Sequence, residues 1–372
     1  MSQQAKVPFA DLHAQYLTIK KEIDAALAEV IRTSAFIRGP FVGAFEKEFS
    51  AAVGAPHCVS CGNGTDALYI AMRALGVKPG DEVITTAHSW IATSETVTQA
   101  GGTVVFCDTD EDTFTIDPAQ IEAKVTPRTV GIIPVHLYGQ PAEMGAIMAI
   151  AAKHRLWVLE DCAQAHLARC GGKTAGTFGS AAAFSFYPGK NLGAMGDAGA
   201  ILTADGVLAE RMAMLARHGG LTKGDHRIEG VNSRLDGLQA AVLSVKLKHL
   251  PEWTAARKRL AAVYDGELSG LADLEVPVVG AGREHVYHLY VVRHPRRDEL
   301  KKFLSERGIE TVINYPRALP FLPAYSRFAA RPEDFPNAYR HQSMVLSLPI
   351  FPEMAEAQQG LVIDALKTFC KG

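Results

Sequence analysis

Lys190 stands in the run Ser185-Phe-Tyr-Pro-Gly-Lys190-Asn-Leu-Gly193, inside a tight turn that follows an apolar segment. Pro188 and Gly189 bend the chain there, and the surrounding glycines let backbone and ligand come close. A lysine held this way, partly desolvated, can attack a carbonyl carbon as a Schiff-base nucleophile. A second apolar segment, 156–159, ends in Glu160 and Asp161. Side chains alternate along a strand, so the two acids face opposite ways. Asp161, at the carboxyl end, is the one expected in a ligand site. Such a carboxylate can pair with a pyridine nitrogen and keep it protonated, as pyridoxal phosphate chemistry requires. A third segment, Cys61-Gly-Asn-Gly64-Thr65-Asp66, turns from strand to helix. Free N–H groups at a helix start bind phosphate, and Thr65 adds a hydroxyl, while Asp66 must point aside. The spacing is that of neither a Rossmann turn nor a P-loop. In His88-Ser-Trp90, the indole can cover one face of a planar ring. Each feature alone also has an ordinary reading: a solvated lysine, a helix cap, a common turn, a core tryptophan. Their joint occurrence, each just after a predicted strand, points to one shared site.

These residues need a scaffold that brings strand ends together. Strands are expected over 57–61, 82–86, 103–108, 131–136, 156–161, 181–186 and 199–203. Helices lie between most of the earlier ones, most clearly over 65–75 and 141–154. The strands are apolar runs, as in a sheet covered on both faces. The alternation predicts an α/β fold with a mainly parallel sheet, which binds ligands beyond the carboxyl ends of its strands. Ahead of it, Leu12, Tyr16, Ile19, Ile23, Leu27 and Val30 recur at helical steps and predict one amphipathic helix over 11–34. Gly39-Pro40 breaks the chain, and a short helix follows through Phe45 and Phe49. After residue 236 the texture changes. A long helix is expected over 238–263 with Pro251 as its breaking point. A strand over 288–293, a helix over 298–308 and a proline-rich stretch over 316–336 follow. The boundary is placed near residue 250. It separates a large cofactor domain, 1–250, from a smaller C-terminal α+β domain, 251–372.

The 372 residues suit two domains. The net charge of −2, with no basic block, argues against a nucleic-acid partner. No apolar run reaches membrane-spanning length, and residues 1–8 lack the order of a signal peptide, so a cytoplasmic location is expected. Cys58 and Cys61 form a CxxC pair, but no second pair completes a zinc site. They read as small buried hydrophobes, and no metal is expected.

The runs Ser185-Phe-Tyr-Pro-Gly-Lys190-Asn-Leu-Gly, Glu160-Asp161-Cys-Ala-Gln164-Ala-His166 and Asn63-Gly64-Thr65-Asp66-Ala-Leu resemble the DegT/DnrJ/EryC1/StrS aminotransferases. So do Gly39-Pro40 with Phe45-Glu46, and Val231-Asn232-Ser-Arg234-Leu-Asp-Gly-Leu-Gln239. The resemblance covers almost the whole chain and implies a fold-type I pyridoxal-phosphate transferase. It implies that Lys190 holds the cofactor covalently and shuttles a proton. It also implies that Asp161 pairs with the pyridine nitrogen, that Gln164 lies near the ring hydroxyl and that Trp90 stacks on the ring. Gly64, Thr65 and Ser185 would hold the phosphate, and Asn232 would reach the phosphate of a neighbouring subunit in a homodimer. The substrate class implied is a nucleotide-linked keto sugar, first among them a dTDP-linked 3-keto-6-deoxyhexose, with glutamate as amino donor. Amination at C4, a UDP-linked sugar and an aminocyclitol precursor are the alternatives, and a noncatalytic sensor is the rival from another class. Arg217 and Arg234 are among the candidates for holding the donor's carboxylate. The chain departs from the family at Gly189, where threonine is usual, and at Leu167, where glycine is usual. Asn314 and Pro320 stand where many members carry histidines.

Overall fold

The computed structural model describes residues 6–371, so the opening residues 1–5 of the polar N-terminus lie outside the described part. The predicted single helix over 11–34 is two helices, α1 (Leu12–Thr18) and α2 (Lys20–Thr33). They part at Ile19, whose φ of −122° leaves the helical region while its side chain packs into the interior. Gly39-Pro40 starts α3 (Pro40–Val53), with Pro40 in the first turn, where its missing N–H costs nothing.

The next elements alternate as expected: β1 (His57–Cys61), α4 (Gly64–Ala74), β2 (Glu82–Thr86), α5 (Ala92–Gln99) and β3 (Thr103–Cys107), then a short α6 (Pro118–Ile121). After them come β4 (Thr129–Ile133), α7 (Met144–His154) and β5 (Trp157–Asp161). Two short strands, β6 (Arg169–Cys170) and β7 (Lys173–Thr174), precede β8 (Ala181–Ser185) and β9 (Gly199–Thr203), and α8 (Gly206–Leu215) follows. The sheet has seven strands in the order β1-β9-β8-β5-β4-β2-β3. Its core from β3 to β8 is parallel, and β9 is antiparallel to both of its neighbours. The chain therefore has the α/β fold that its strand pattern predicts, a large mainly parallel sheet flanked by helices.

Strand parity assigns the two faces of the sheet. Leu159, Ala181, Ala183 and Ile201 point towards α4, α5 and α8. Ala182, Phe184, Ala200 and Leu202 point towards α3 and the helix that follows α8. That helix, α9 (Gly237–Leu268), is continuous through Pro251. The predicted break does not occur, although proline removes one hydrogen bond from a helix interior. Residues on both sides of it, Val242, Leu243 and Leu250 before and Trp253 and Ala261 after, are buried against other elements, so packing holds the axis through that point. Residue 250 lies inside this helix.

The remaining elements are β10 (Arg283–Glu284), β11 (Tyr290–Arg293), α10 (Arg297–Ser305), α11 (Pro336–Met344), β12 (Val345–Leu348) and α12 (Glu356–Cys370). β11 pairs antiparallel with β12, and α10, α12 and the end of α9 pack around a separate core. The proline-rich stretch forms short 3-10 turns that fold back on the sheet domain. Asp108, just beyond β3, accepts the Asn337 and Ala338 N–H groups at 2.9 Å and so caps α11 from 229 residues away. No helix of the described residues is long and apolar enough to cross a membrane.

Candidate active site

Asp161 ends β5 with the same parity as Leu159, and Ser185 ends β8 with the parity of Ala181 and Ala183. Both therefore emerge on the face that carries α4, whose first residues are Gly64 and Thr65. These strand ends and the helix start border a cavity of about 660 Å³. Gly64, Thr65, Trp90, Asp161, Gln164, Ser185 and Lys190 all line it. Asn232 does not; it lies exposed beside Arg217, outside this cavity.

The Gly64 position depends on having no side chain. A Cβ there would lie 2.6 Å from the Ser185 Cβ, so only glycine lets the Ser185 side chain and the helix start share one recess. The first N–H groups of a helix have no partners within it, and they carry the positive end of its dipole. Asn63 caps α4 by accepting the Asp66 N–H at 2.8 Å. Asp66 also lines the cavity, but its carboxylate is engaged there: it accepts the Ser233 hydroxyl at 2.6 Å, and Ser233 in turn accepts the Gly62 N–H. The recess thus offers a hydroxyl from Thr65, one from Ser185 and a helix N-terminus to an anion.

Asp161 is buried. Its carboxylate accepts the Thr93 hydroxyl at 2.8 Å and the Ala163 N–H at 3.1 Å. Burial pushes its pKa up; these two donors and the charge of Lys190 pull it down. Lys190 is half-buried, and burial lowers its ammonium to about 8 against the opposing pull of Asp161. At neutral pH a usable fraction of its amine is therefore free of its proton. Gln164 is locked at both ends: its Oε1 accepts the Tyr138 N–H at 2.6 Å and its Nε2 donates to the Tyr315 hydroxyl at 3.0 Å. Tyr315 lies beside Trp90, with ring centroids 5.6 Å apart. Trp90 itself is 58% exposed, which makes it a wall of the cavity rather than a core residue. Leu167 adopts a φ of 63°, a left-handed backbone that glycine takes more easily, which accounts for glycine being the usual family residue there.

Sequence reasoning did not single out Thr93, Tyr138 or Tyr315. Thr93 carried a signal, since it follows Trp90 by one helical turn. Tyr138 and Tyr315 carried none, because their contacts join segments far apart in the chain.

These residues fit pyridoxal phosphate. The Gly64–Ser185 recess matches a phosphate, the open side of Asp161 matches a pyridinium N–H, and the Lys190 amine matches an aldehyde carbon. The residues that would hold the group are those already named.

A neighbouring cavity of about 450 Å³ shares Gln164, Tyr187, Lys190 and Tyr315 with the first, and is also bordered by Arg257, His288 and Asn314. Asn314 is fixed by the Ser347 hydroxyl at 2.9 Å. Arg217 lines a different surface groove, near Glu46, and Arg234 lines neither cavity.

Comparison with known proteins agrees with this geometry. The model of the DegT/DnrJ/EryC1/StrS aminotransferase family matches residues 17–367. A pleiotropic regulatory protein of Geobacillus stearothermophilus is 48% identical over 365 residues, 98% of each chain. A dTDP-3-amino-3,4,6-trideoxy-alpha-D-glucose transaminase of Streptomyces venezuelae is 44% identical over 370 residues, covering 100% of this chain and 98% of its own. The crystal structure of S. venezuelae DesV in complex with a ketimine intermediate superimposes with a TM-score of 0.97 at 45% identity, covering 99% of both chains.

Proposed function

The chain belongs to the DegT/DnrJ/EryC1/StrS aminotransferase family and is a pyridoxal-phosphate-dependent aminotransferase; from that premise we propose that it moves an amino group from glutamate to a nucleotide-linked keto sugar. A dTDP-linked 3-keto-6-deoxyhexose is the first candidate, supported by the sugar named for the S. venezuelae relative. The observation that carries the reading is that Lys190 and Asp161 face one cavity with an anion recess at its rim.

When bound, pyridoxal phosphate supplies a ring that takes up the electron pair left as a proton leaves the substrate carbon. In our reading the chain's own residues do the rest. Lys190 Nζ, lowered to about 8, accepts that proton and returns it to the carbon on the other side of the transferred nitrogen. The Asp161 carboxylate holds a positive charge at the ring nitrogen, and Thr93 fixes its orientation. Thr65, Ser185 and the start of α4 bind the phosphate. Gln164, pinned by Tyr138 and Tyr315, faces the ring hydroxyl, and Trp90 covers the ring. Exposed Asn232 is read as serving the phosphate of a partner in a homodimer. We read residues 1–250 as the cofactor domain, 251–372 as the smaller domain, and the location as cytoplasmic.

The test is the visible absorbance of the loaded wild type and of Lys190→Ala. Glutamate should discharge the wild-type band, and the accepted keto sugar should restore it. dTDP- and UDP-linked sugars carrying the ketone at C3 or C4 are compared as acceptors. Lys190→Ala should show no such cycle. A wild type whose band ignores glutamate sinks the donor assignment, and one restored only by a UDP-linked or 4-keto sugar replaces the proposed acceptor. The name of the Geobacillus relative suits a regulatory reading; that reading requires a loaded protein that turns over no keto sugar at all.

A further inference from the structure

The second cavity contains a buried cation whose hydrogen-bonding capacity is mostly unspent. Arg257, on α9, is 6% exposed. Its Nη1 donates to the carbonyls of Ile350 at 2.8 Å, Tyr287 at 3.1 Å and His288 at 3.4 Å. A guanidinium carries five N–H donors in a planar fork. Here Nε is fully buried with no partner, and Nη2 makes no hydrogen bond among the described residues. A buried donor left unmade costs free energy and calls for an explanation.

The electrostatics point the same way. Burial lowers the guanidinium only to about 10, so it stays charged at neutral pH. Glu353 is the acid near enough to act on it; its two carboxylate oxygens are also buried without a hydrogen-bond partner, and no ion pair joins it to Arg257. Among the described residues no carboxylate lines the cavity, and burial keeps its His288 neutral. The same cavity is bordered by Lys190. A desolvated arginine recognises a carboxylate or a phosphate through charge-assisted hydrogen bonds, and Nη2 is the group left here to make them.

We propose that Arg257 binds a carboxylate of the amino-acid donor while the donor's amine meets the Lys190 end of the cavity. This rests on the reading that the amino group comes from an amino acid. It selects Arg257 over Arg217 and Arg234, neither of which reaches either cavity.

Loaded wild type, Arg257→Gln and Arg257→Lys are titrated by calorimetry with glutarate, an unreactive dicarboxylate, and the two half-reactions are followed separately in single turnovers. Losing one charge-assisted contact should weaken glutarate and raise the half-saturating glutamate concentration by at least about tenfold in Arg257→Gln. The keto-sugar half-reaction should fall by a much smaller factor. Arg257→Lys should lie between, because an ammonium keeps the charge and loses the fork. Glutarate affinity within about twofold of wild type in both variants, equal losses in both half-reactions, or a wild type that binds no glutarate overturns the proposal. If Arg257→Gln does not fold, Arg257→Lys decides by the same criteria. If glutarate binding depends on Arg257 but no amino acid discharges the visible band, the carboxylate site stands and the glutamate donor fails.

Discussion

Glu160 and Asp161 are neighbours in sequence, both buried at the end of β5, and the regions they face are opposite in kind. Glu160 looks away from the cavity and is saturated. One oxygen accepts the Phe178 and Gly179 N–H groups at 2.7 and 2.9 Å; the other accepts the Gly176 N–H at 2.8 Å and the His136 Nε2–H at 3.0 Å. His136 Nδ1 accepts the Ala142 N–H, so its remaining proton sits on Nε2. His136, Glu160 and Cys162 lie close enough to suggest a metal site, but the ligand atoms of the first two are already spent on hydrogen bonds. Asp161 has two donors and an open side towards the cavity. A carboxylate has about four lone-pair directions. One acid has filled them with scaffold, and the other keeps some for a ligand. A buried acid is thus a candidate for chemistry when its hydrogen bonding is incomplete, not when it is merely buried.

The largest effect that tests this contrast is on turnover. Asp161→Asn removes the charge proposed to face the ring nitrogen, and should cut kcat by roughly a hundredfold or more while the melting temperature barely moves. Equal turnover in the mutant would erase the distinction. Glu160→Gln should do the reverse: it leaves two N–H donors facing an amide and should cost about 3 kcal/mol in denaturant unfolding, with kcat in the folded fraction little changed. Thr93→Val sharpens the picture at smaller scale. It removes one of the donors that hold the Asp161 pKa down, so the acid limb of the activity profile should move to higher pH, because the carboxylate is lost sooner as pH falls. The rate at the optimum should drop by about tenfold or less. Smallest is a shift in reactivity. In cofactor-free protein, Lys190 should be modified by amine reagents at a rate that rises through about pH 8, well below the ordinary lysine range. A profile rising only near 10 would mean that the amine is solvated and not prepared for its task.

Much of this was legible in the chain. The edges of β1, β2 and β9 match the sequence reading, because a short apolar run bounded by turn residues carries its own signal. Lys190, Asp161, Gly64 and Thr65 were legible because turn glycines and strand-end polar residues are local features. The helix over 11–34 was misjudged because periodicity continues across Ile19 while the backbone does not. Pro251 was misjudged for the opposite reason: a local rule predicts a break that packing on either side overrides.

The sequence by itself determined the α/β alternation, the separation of Glu160 from Asp161 by strand parity and the residue types available for catalysis, since these depend on neighbours in the chain. Only the tertiary structure decided which of those groups share a space. The Gln164–Tyr315 bond joins residues 151 apart, and the Ile350 carbonyl held by Arg257 is 93 residues away. Such pairs are set by how helices and strands pack, and packing depends on the whole set of buried surfaces at once. Arg257 was therefore one arginine among many in the sequence, and stands out only because α9 carries it to a cavity that, among the described residues, no acid lines.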